Sequence, residues 1–267
     1  MPVSSLPSNF SQANLSQANL SQASHSKASH SKASHSKASH SKAKAPQPVF
    51  PDSATIFAFP PNRETLGGTA YLVIERDEDA RPRNILVDCP AFSETAQSFL
   101  SEKGGVHTLF ITHRGGMAQV SDFQRAFDCQ VLIQEQEAYL LPTVETTTFH
   151  REQTISNASR VFWNPGHSPG SASLYHSAEG GVLFTGRHLL PTKEGNPAPL
   201  RLSKTFHWPR QLRYAQQLLT DFSPETLSYI CPGASTGFLR GEKKISEAYS
   251  RLQQLDWRLL ESMKPKM

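Results

Sequence analysis

Cysteine is scarce in this 267-residue chain: Cys89, Cys129 and Cys231 are odd in number, far apart and without a Cys-x-x-Cys pair. That excludes a disulfide framework and a zinc knuckle and points to a reducing compartment, so a cytoplasmic location is expected. No apolar run approaches the roughly 18 residues that span a bilayer, which excludes a membrane-spanning helix. No Gly-x-Ser-x-Gly elbow occurs, so nothing marks a serine hydrolase. Acid and arginine are missing from residues 1–51, which carry five lysines; the remainder holds 22 basic and 23 acidic residues, net −1 against +4 for the whole chain. The basic character therefore belongs to the N-terminal segment. The body offers no cationic excess for nucleic acid, and for the segment itself that partner stays open.

That segment is a repeat. From Ala13 it reads ANLSQ twice and ASHSK four times, ending at Lys42. A period of five matches neither helix nor strand. The first two units resemble pentapeptide-repeat proteins, with Leu15 and Leu20 in the inward place, but His25, His30, His35 and His40 take that place afterwards. Imidazoles cannot replace buried leucines without hydrogen-bond partners. Residues 1–51 are expected to form a disordered tail, and Pro46, Pro48 and Pro51 to separate it from a folded domain over 52–267. Loose metal binding by its histidines, organelle targeting and tethering to an acidic surface are open readings of the tail.

Beyond Pro51, apolar β-branched runs predict strands over 55–59, 69–75 and 84–88. Helices over 93–102 and 118–127 then alternate with strands over 108–112 and 130–134. Strands over 160–164, 171–176 and 182–186, a helix over 209–220, a strand over 227–231 and a closing helix over 243–260 complete the pattern. Hairpins mixed with strand–helix alternation imply a layered α/β sandwich with its reactive groups on loops at strand ends.

Those strand ends carry motifs: Ile85-Leu-Val-Asp88, Phe110-Ile-Thr-His113, Asn164-Pro-Gly-His167-Ser-Pro-Gly-Ser171, Leu183-Phe-Thr-Gly186 and Ile230-Cys-Pro-Gly233. In this order over residues 54–235, they resemble the metallo-β-lactamase superfamily, which includes glyoxalase II-like hydrolases. The resemblance implies a four-layer αββα sandwich with two metal ions whose bridging water attacks esters, thioesters, amides or phosphates.

The same resemblance implies that most ligands are gone. Gly115, Met117 and Ala118 stand at the second histidine, aspartate and third histidine of the family's HxHxDH, Arg187 at its bridging aspartate and Ala234 at its last histidine. His113 and His167 alone remain of seven positions. A guanidinium in the bridging place would oppose each ionic charge by about 4 kcal/mol at ~4 Å and an effective dielectric of ~20. The expected protein is therefore a degenerate family member, a non-catalytic binding or interaction module with no cofactor. Its cationic cleft would consist of His113, Arg114, His167, Arg187 and His188, with Asp88 supporting the loops from behind and with a small anion or a protein as partner. Whether Arg187 faces an anion or pairs with a nearby acid is open. The alternative is a residual hydrolase of thioesters, lactones or phosphoesters holding one zinc or iron ion on His113 and His167. His107, His150, His176 and His207 lie outside the motifs and are expected to be structural; Trp163, Trp208 and Trp257 are expected in the core.

Overall fold

Two twisted sheets form the centre of the molecule in this computed structural model, which describes residues 44–61 and 65–265. The first contains β1 (Gln47–Phe50), β2 (Ser53–Ala58), β3 (Tyr71–Val73), β4 (Ile85–Val87), β5 (Thr108–Ile111), β6 (Gln130–Gln134) and β7 (Thr146–Phe149), paired in chain order. Its first half is an antiparallel meander; from β4 onward neighbours run parallel. Next come β8 (Glu152–Thr154), β9 (Ser159–Trp163), β10 (Ala172–His176) and β11 (Val182–Gly186), then a small hairpin of β12 (Leu190–Pro191) and β13 (Pro197–Ala198), and finally β14 (Tyr229–Pro232) and β15 (Ile245–Ser246). The second sheet has the order β15-β14-β11-β10-β9-β8, with β11 and β14 parallel.

Alternation along the strands makes four layers. Ile56, Tyr71, Val73, Ile85, Val87, Phe110 and Leu132 pack inward against Leu174, Val182, Phe184 and Cys231 of the other sheet. Each fully buried side chain of this size contributes about 1.5–3 kcal/mol. The intervening residues Leu72, Leu86, Leu109 and Val131 face outward under α1 (Glu94–Glu102) and α2 (Val120–Phe127). Behind β6 lies the single turn α3 (Glu135–Ala138). On the far side, Leu183 and Ile230 pack under α4 (Trp208–Asp221) and α5 (Ala248–Gln253), with α6 (Trp257–Ser262) following. Strands covered on both faces read as continuous apolar runs, which is why β4, β5 and β11 were visible in the sequence.

Helix starts follow their caps. The Ser93 hydroxyl accepts from Ala96 N–H at 3.2 Å, and Pro209 occupies the first turn of α4, where a missing N–H does no harm. The single helix expected over 243–260 is absent. Ile245 and Ser246 pair with β14, Glu247 is left-handed at φ 53°, and Asp256 accepts from Leu259 N–H at 3.0 Å, starting a second helix. Folded structure also begins before the expected boundary at residue 52, because β1 pairs with β2 from Gln47 onward. The disorder expected for the pentad repeat concerns residues outside those described. Among the described residues no helix is long and apolar enough to cross a membrane.

Candidate ligand-binding site

Parallel strands deliver their carboxyl ends to one place, and the motif loops converge there. Asp88 follows β4 with φ 58°; its Oδ1 accepts Thr112 N–H at 2.8 Å and its Oδ2 accepts the Thr112 hydroxyl at 2.6 Å. The carboxylate lies so tightly over the next loop that a Cβ at Gly116 would fall 2.1 Å from Oδ1. Gly186, at φ +52°, similarly lets β11 end against Thr112, whose Oγ1 would be 2.2 Å from a Cβ there.

Thr112 hands this arrangement on to His113. An ionised carboxylate only accepts, so the single hydroxyl proton of Thr112 points at Asp88, and the contact to His113 Nδ1 at 2.9 Å must be donated by the ring. His113 is thereby fixed as the Nδ1–H tautomer, with its Nε2 lone pair unpartnered and buried. The His113 and His167 rings meet edge to face with centroids 5.3 Å apart. His167 Nδ1 also completes no hydrogen bond, and the His188 ring has no side-chain partner and meets only the Asn164 backbone.

Electrostatics keep these rings neutral. Burial lowers the pKa of His167 to about 4 and that of His188 to about 3. Arg187 and Arg114 press His167 further, whereas His188 feels His167 and is partly compensated by the Asn164 backbone. His113 is held well below its ordinary value by burial, His167, Arg187 and Arg114. Burial raises Asp88 to about 6 against the Thr112 hydrogen bonds and Arg187, which pull it down.

The two arginines differ. Arg114 pairs through Nε with Glu137 Oε1 at 3.2 Å, and that glutamate, on α3, is buried with its Oε2 unpartnered. Its charge is thus answered from below. Arg187 forms no ion pair with an acid among the described residues: Nη2 donates to the Leu66 carbonyl at 3.2 Å and the buried Nε–H has no acceptor. The five cleft residues are brought together, and Glu137 is the member that sequence reasoning missed; an acid in the polar run QEQE gives no local signal. The remaining buried unpartnered side-chain atoms among the described residues, Asn164 Oδ1 and Gln211 Oε1, belong to the same neighbourhood, for Gln211 Nε2 donates to the His188 carbonyl at 2.8 Å. Native proteins pair nearly all such groups, so this concentration sets the place apart among the described residues.

These residues do not fit a pair of metal ions. Both Asp88 oxygens are turned to Thr112, Glu137 is tied to Arg114, and Arg187 stands where the resemblance places a bridging carboxylate. Among the described residues no three of His, Cys, Asp and Glu are grouped so as to hold an ion. The other histidines among the described residues have structural partners: His150 meets Glu135 at 2.5 Å, His207 caps α4, His107 lies against Arg83 and His176 against Glu75. Trp208 is buried with its N–H on the Leu260 carbonyl, and Trp163 and Trp257 are half-buried. Cys89, Cys129 and Cys231 are buried free thiols whose pKa burial raises.

No protein-family profile and no curated protein matches the sequence. Solved structures do: the chain has the fold of the metallo-β-lactamase superfamily. The B3 metallo-β-lactamase BLEG-1 is 18% identical, over 73% of this chain and 95% of that one, at TM-score 0.53. An archaeal superfamily protein from Sulfolobus tokodaii is 12% identical over 79% and 88%, also at 0.53. A protein crystallised in a di-iron-bound form is 16% identical over 68% and 91%, at 0.52. At these identities the likeness is one of fold.

Proposed function

We propose that this hydrolase-like fold serves as a metal-free binding module whose former metal cleft takes a small oxyanion, with Arg187 as the principal contact. The observation that carries this reading is the buried Nε–H of Arg187, a fixed positive donor without acceptor beside three neutral imidazoles. A guanidinium in that state is matched by phosphate or carboxylate oxygens. No step of hydrolysis is assigned: both Asp88 oxygens accept from Thr112, and Glu137 is ion-paired with Arg114 through Oε1. The buried free thiols suit a reducing, cytoplasmic setting.

Calorimetry of the full chain with inorganic phosphate, beside elemental analysis, tests the reading. Saturable binding in the wild type and at least about tenfold weaker binding in Arg187→Ala are expected, with less than stoichiometric zinc, iron or manganese. Two equivalents of metal with chelator-sensitive hydrolysis of thioesters or lactones, lost in His167→Ala, would instead establish a hydrolase. Equal phosphate binding in wild type and Arg187→Ala would remove the arginine from the site.

A further inference from the structure

Resting on that reading, we infer that the site selects an oxyanion that still carries a proton, a hydrogen phosphate or phosphomonoester monoanion, over one that is fully ionised. The inference comes from pairing one fixed acceptor with one fixed donor. Asp88 Oδ2 accepts a hydrogen bond from the Thr112 hydroxyl at 2.6 Å, the Thr112 oxygen in turn accepts one from His113 Nδ1–H at 2.9 Å, and this chain leaves His113 Nε2 as a bare lone pair. Arg187, on the strand end beside it, leaves an Nε–H. His113 Nδ1 itself lies 3.4 Å from where a Cβ on the neighbouring Gly186 would be, so the two loops are in contact.

A ligand that satisfies both groups must donate to one and accept from the other. Hydrogen phosphate does so: its P–O–H donates to His113 Nε2 and an unprotonated oxygen accepts from Arg187 Nε–H. Sulfate and simple carboxylates are acceptors only and would set an oxygen lone pair against the His113 lone pair. A flip to the Nε2–H tautomer would leave the Thr112 hydroxyl, already committed as a donor, with no proton from the ring. Sites built to hydrogen-bond a ligand hydroxyl reject the analogue that lacks it far more strongly than apolar pockets reject a missing methylene.

The test compares inorganic phosphate, sulfate and acetate by calorimetry on the full chain at pH 7.5, with 15N spectra of the histidine side chains recorded during the phosphate titration. Sulfate and acetate at least about a hundredfold weaker than phosphate are expected. The unliganded His113 should be neutral with its proton on Nδ1, and its Nε2 resonance should move toward that of a hydrogen-bond acceptor as phosphate is added. In Thr112→Val, if it folds, the discrimination should fall at least about tenfold while phosphate still binds. Equal affinity for phosphate and sulfate would overturn this inference and leave the oxyanion reading standing. Absence of binding by all three anions would overturn both. The spectra need no variant: an Nε2–H tautomer or an imidazolium at His113, free or bound, would overturn the inference by itself.

Discussion

The sandwich has a buried polar cluster at each end, and the two are built on opposite terms. At the carboxyl ends of the parallel strands, His113, His167, His188 and Arg187 keep unpartnered atoms inside the protein. At the opposite end, Glu75 beyond β3 reaches across to the second sheet. Its Oε1 accepts the Ser159 hydroxyl at 2.5 Å and meets His176 Nδ1 at 3.0 Å, while Ser159 and His176 touch at 2.9 Å. Burial works to raise the pKa of Glu75, yet hydrogen bonds from His176, Ser159 and Ser156 carry it below the ordinary value. A cleft of about 800 Å³ opens over this second, closed cluster. Unsatisfied chemistry chooses the other end, because a network that has answered all its own hydrogen bonds has little left to offer a ligand.

The largest effect that could break this comparison is at the closed end. Glu75→Ala leaves Ser159 and His176 buried without their shared acceptor, and loss of about 3–5 kcal/mol of stability is expected from urea unfolding. Phosphate affinity in the surviving folded fraction should not change. A mutant nearly as stable as the wild type would mean that the Glu75 cluster is not the clamp between sheets that its geometry describes.

Next in size is the response of the open end to acid. His167 falls to about 4 and His188 to about 3 in the folded protein against an ordinary 6.5. Depressed histidine values mean that their stability is complete above pH 6.5 and drains as pH falls toward the folded values, about 3 kcal/mol for His167 and somewhat more for His188. Asp88 runs the other way. Raised from 3.8 to about 6, it lends stability that is present at low pH and lost as pH rises through 6, about 3 kcal/mol in the opposing sense. With His113 lowered as well, the histidines outweigh it, so a net loss of stability between pH 7 and pH 4 is expected in denaturant midpoints. His167→Asn should shrink that loss; an identical pH profile would show that His167 is not held neutral.

How much of this was visible beforehand depended on whether a residue's role was local. Elements with their own cap or continuous apolar run, such as α1 behind Ser93 or β11 with Val182–Gly186, could be read from the sequence within a residue or two. So could the loops in which His113, His167, Arg187 and His188 sit, since those turns demand particular small or polar residues. Edge strands could not. β1 contains Pro48, which an edge tolerates because one side of its backbone needs no partner, and β7 reads Thr-Thr-Thr-Phe with little apolar signal. The closing helix broke at Asp256 because a side-chain cap competes with continuation, which periodicity does not register. Least visible were relations between residues far apart in the chain. Arg114 could be seen, but the fact that Glu137 beneath it cancels its charge depends on how α3 stacks behind β6.

The smallest effect separates the two ends by charge. The cleft over Glu75 is rimmed by Arg76, Arg81 and Arg83, so an anion site placed by counting arginines would fall there. Arg81, however, is matched to Asp77 at 3.0 Å and also pairs with Asp79, and Arg83 meets Asp77 at 3.2 Å. With 65% of the Arg81 side chain exposed, water screens what remains. Exposed pairs of this kind contribute about 0–1 kcal/mol, so Arg81→Gln is expected to shift stability by no more than about 0.5 kcal/mol. Its phosphate affinity should equal that of the wild type, whereas Arg187→Ala loses binding. The contrast lies in what each guanidinium has left to give: at one rim Arg81 and Arg83 meet carboxylates and Arg76 donates to the Ala80 carbonyl, while at the other Arg187 keeps a buried N–H without an acceptor. If Arg81→Gln weakened phosphate binding as much as Arg187→Ala does, number and exposure of cations, rather than unanswered hydrogen-bonding capacity, would locate the anion in this fold.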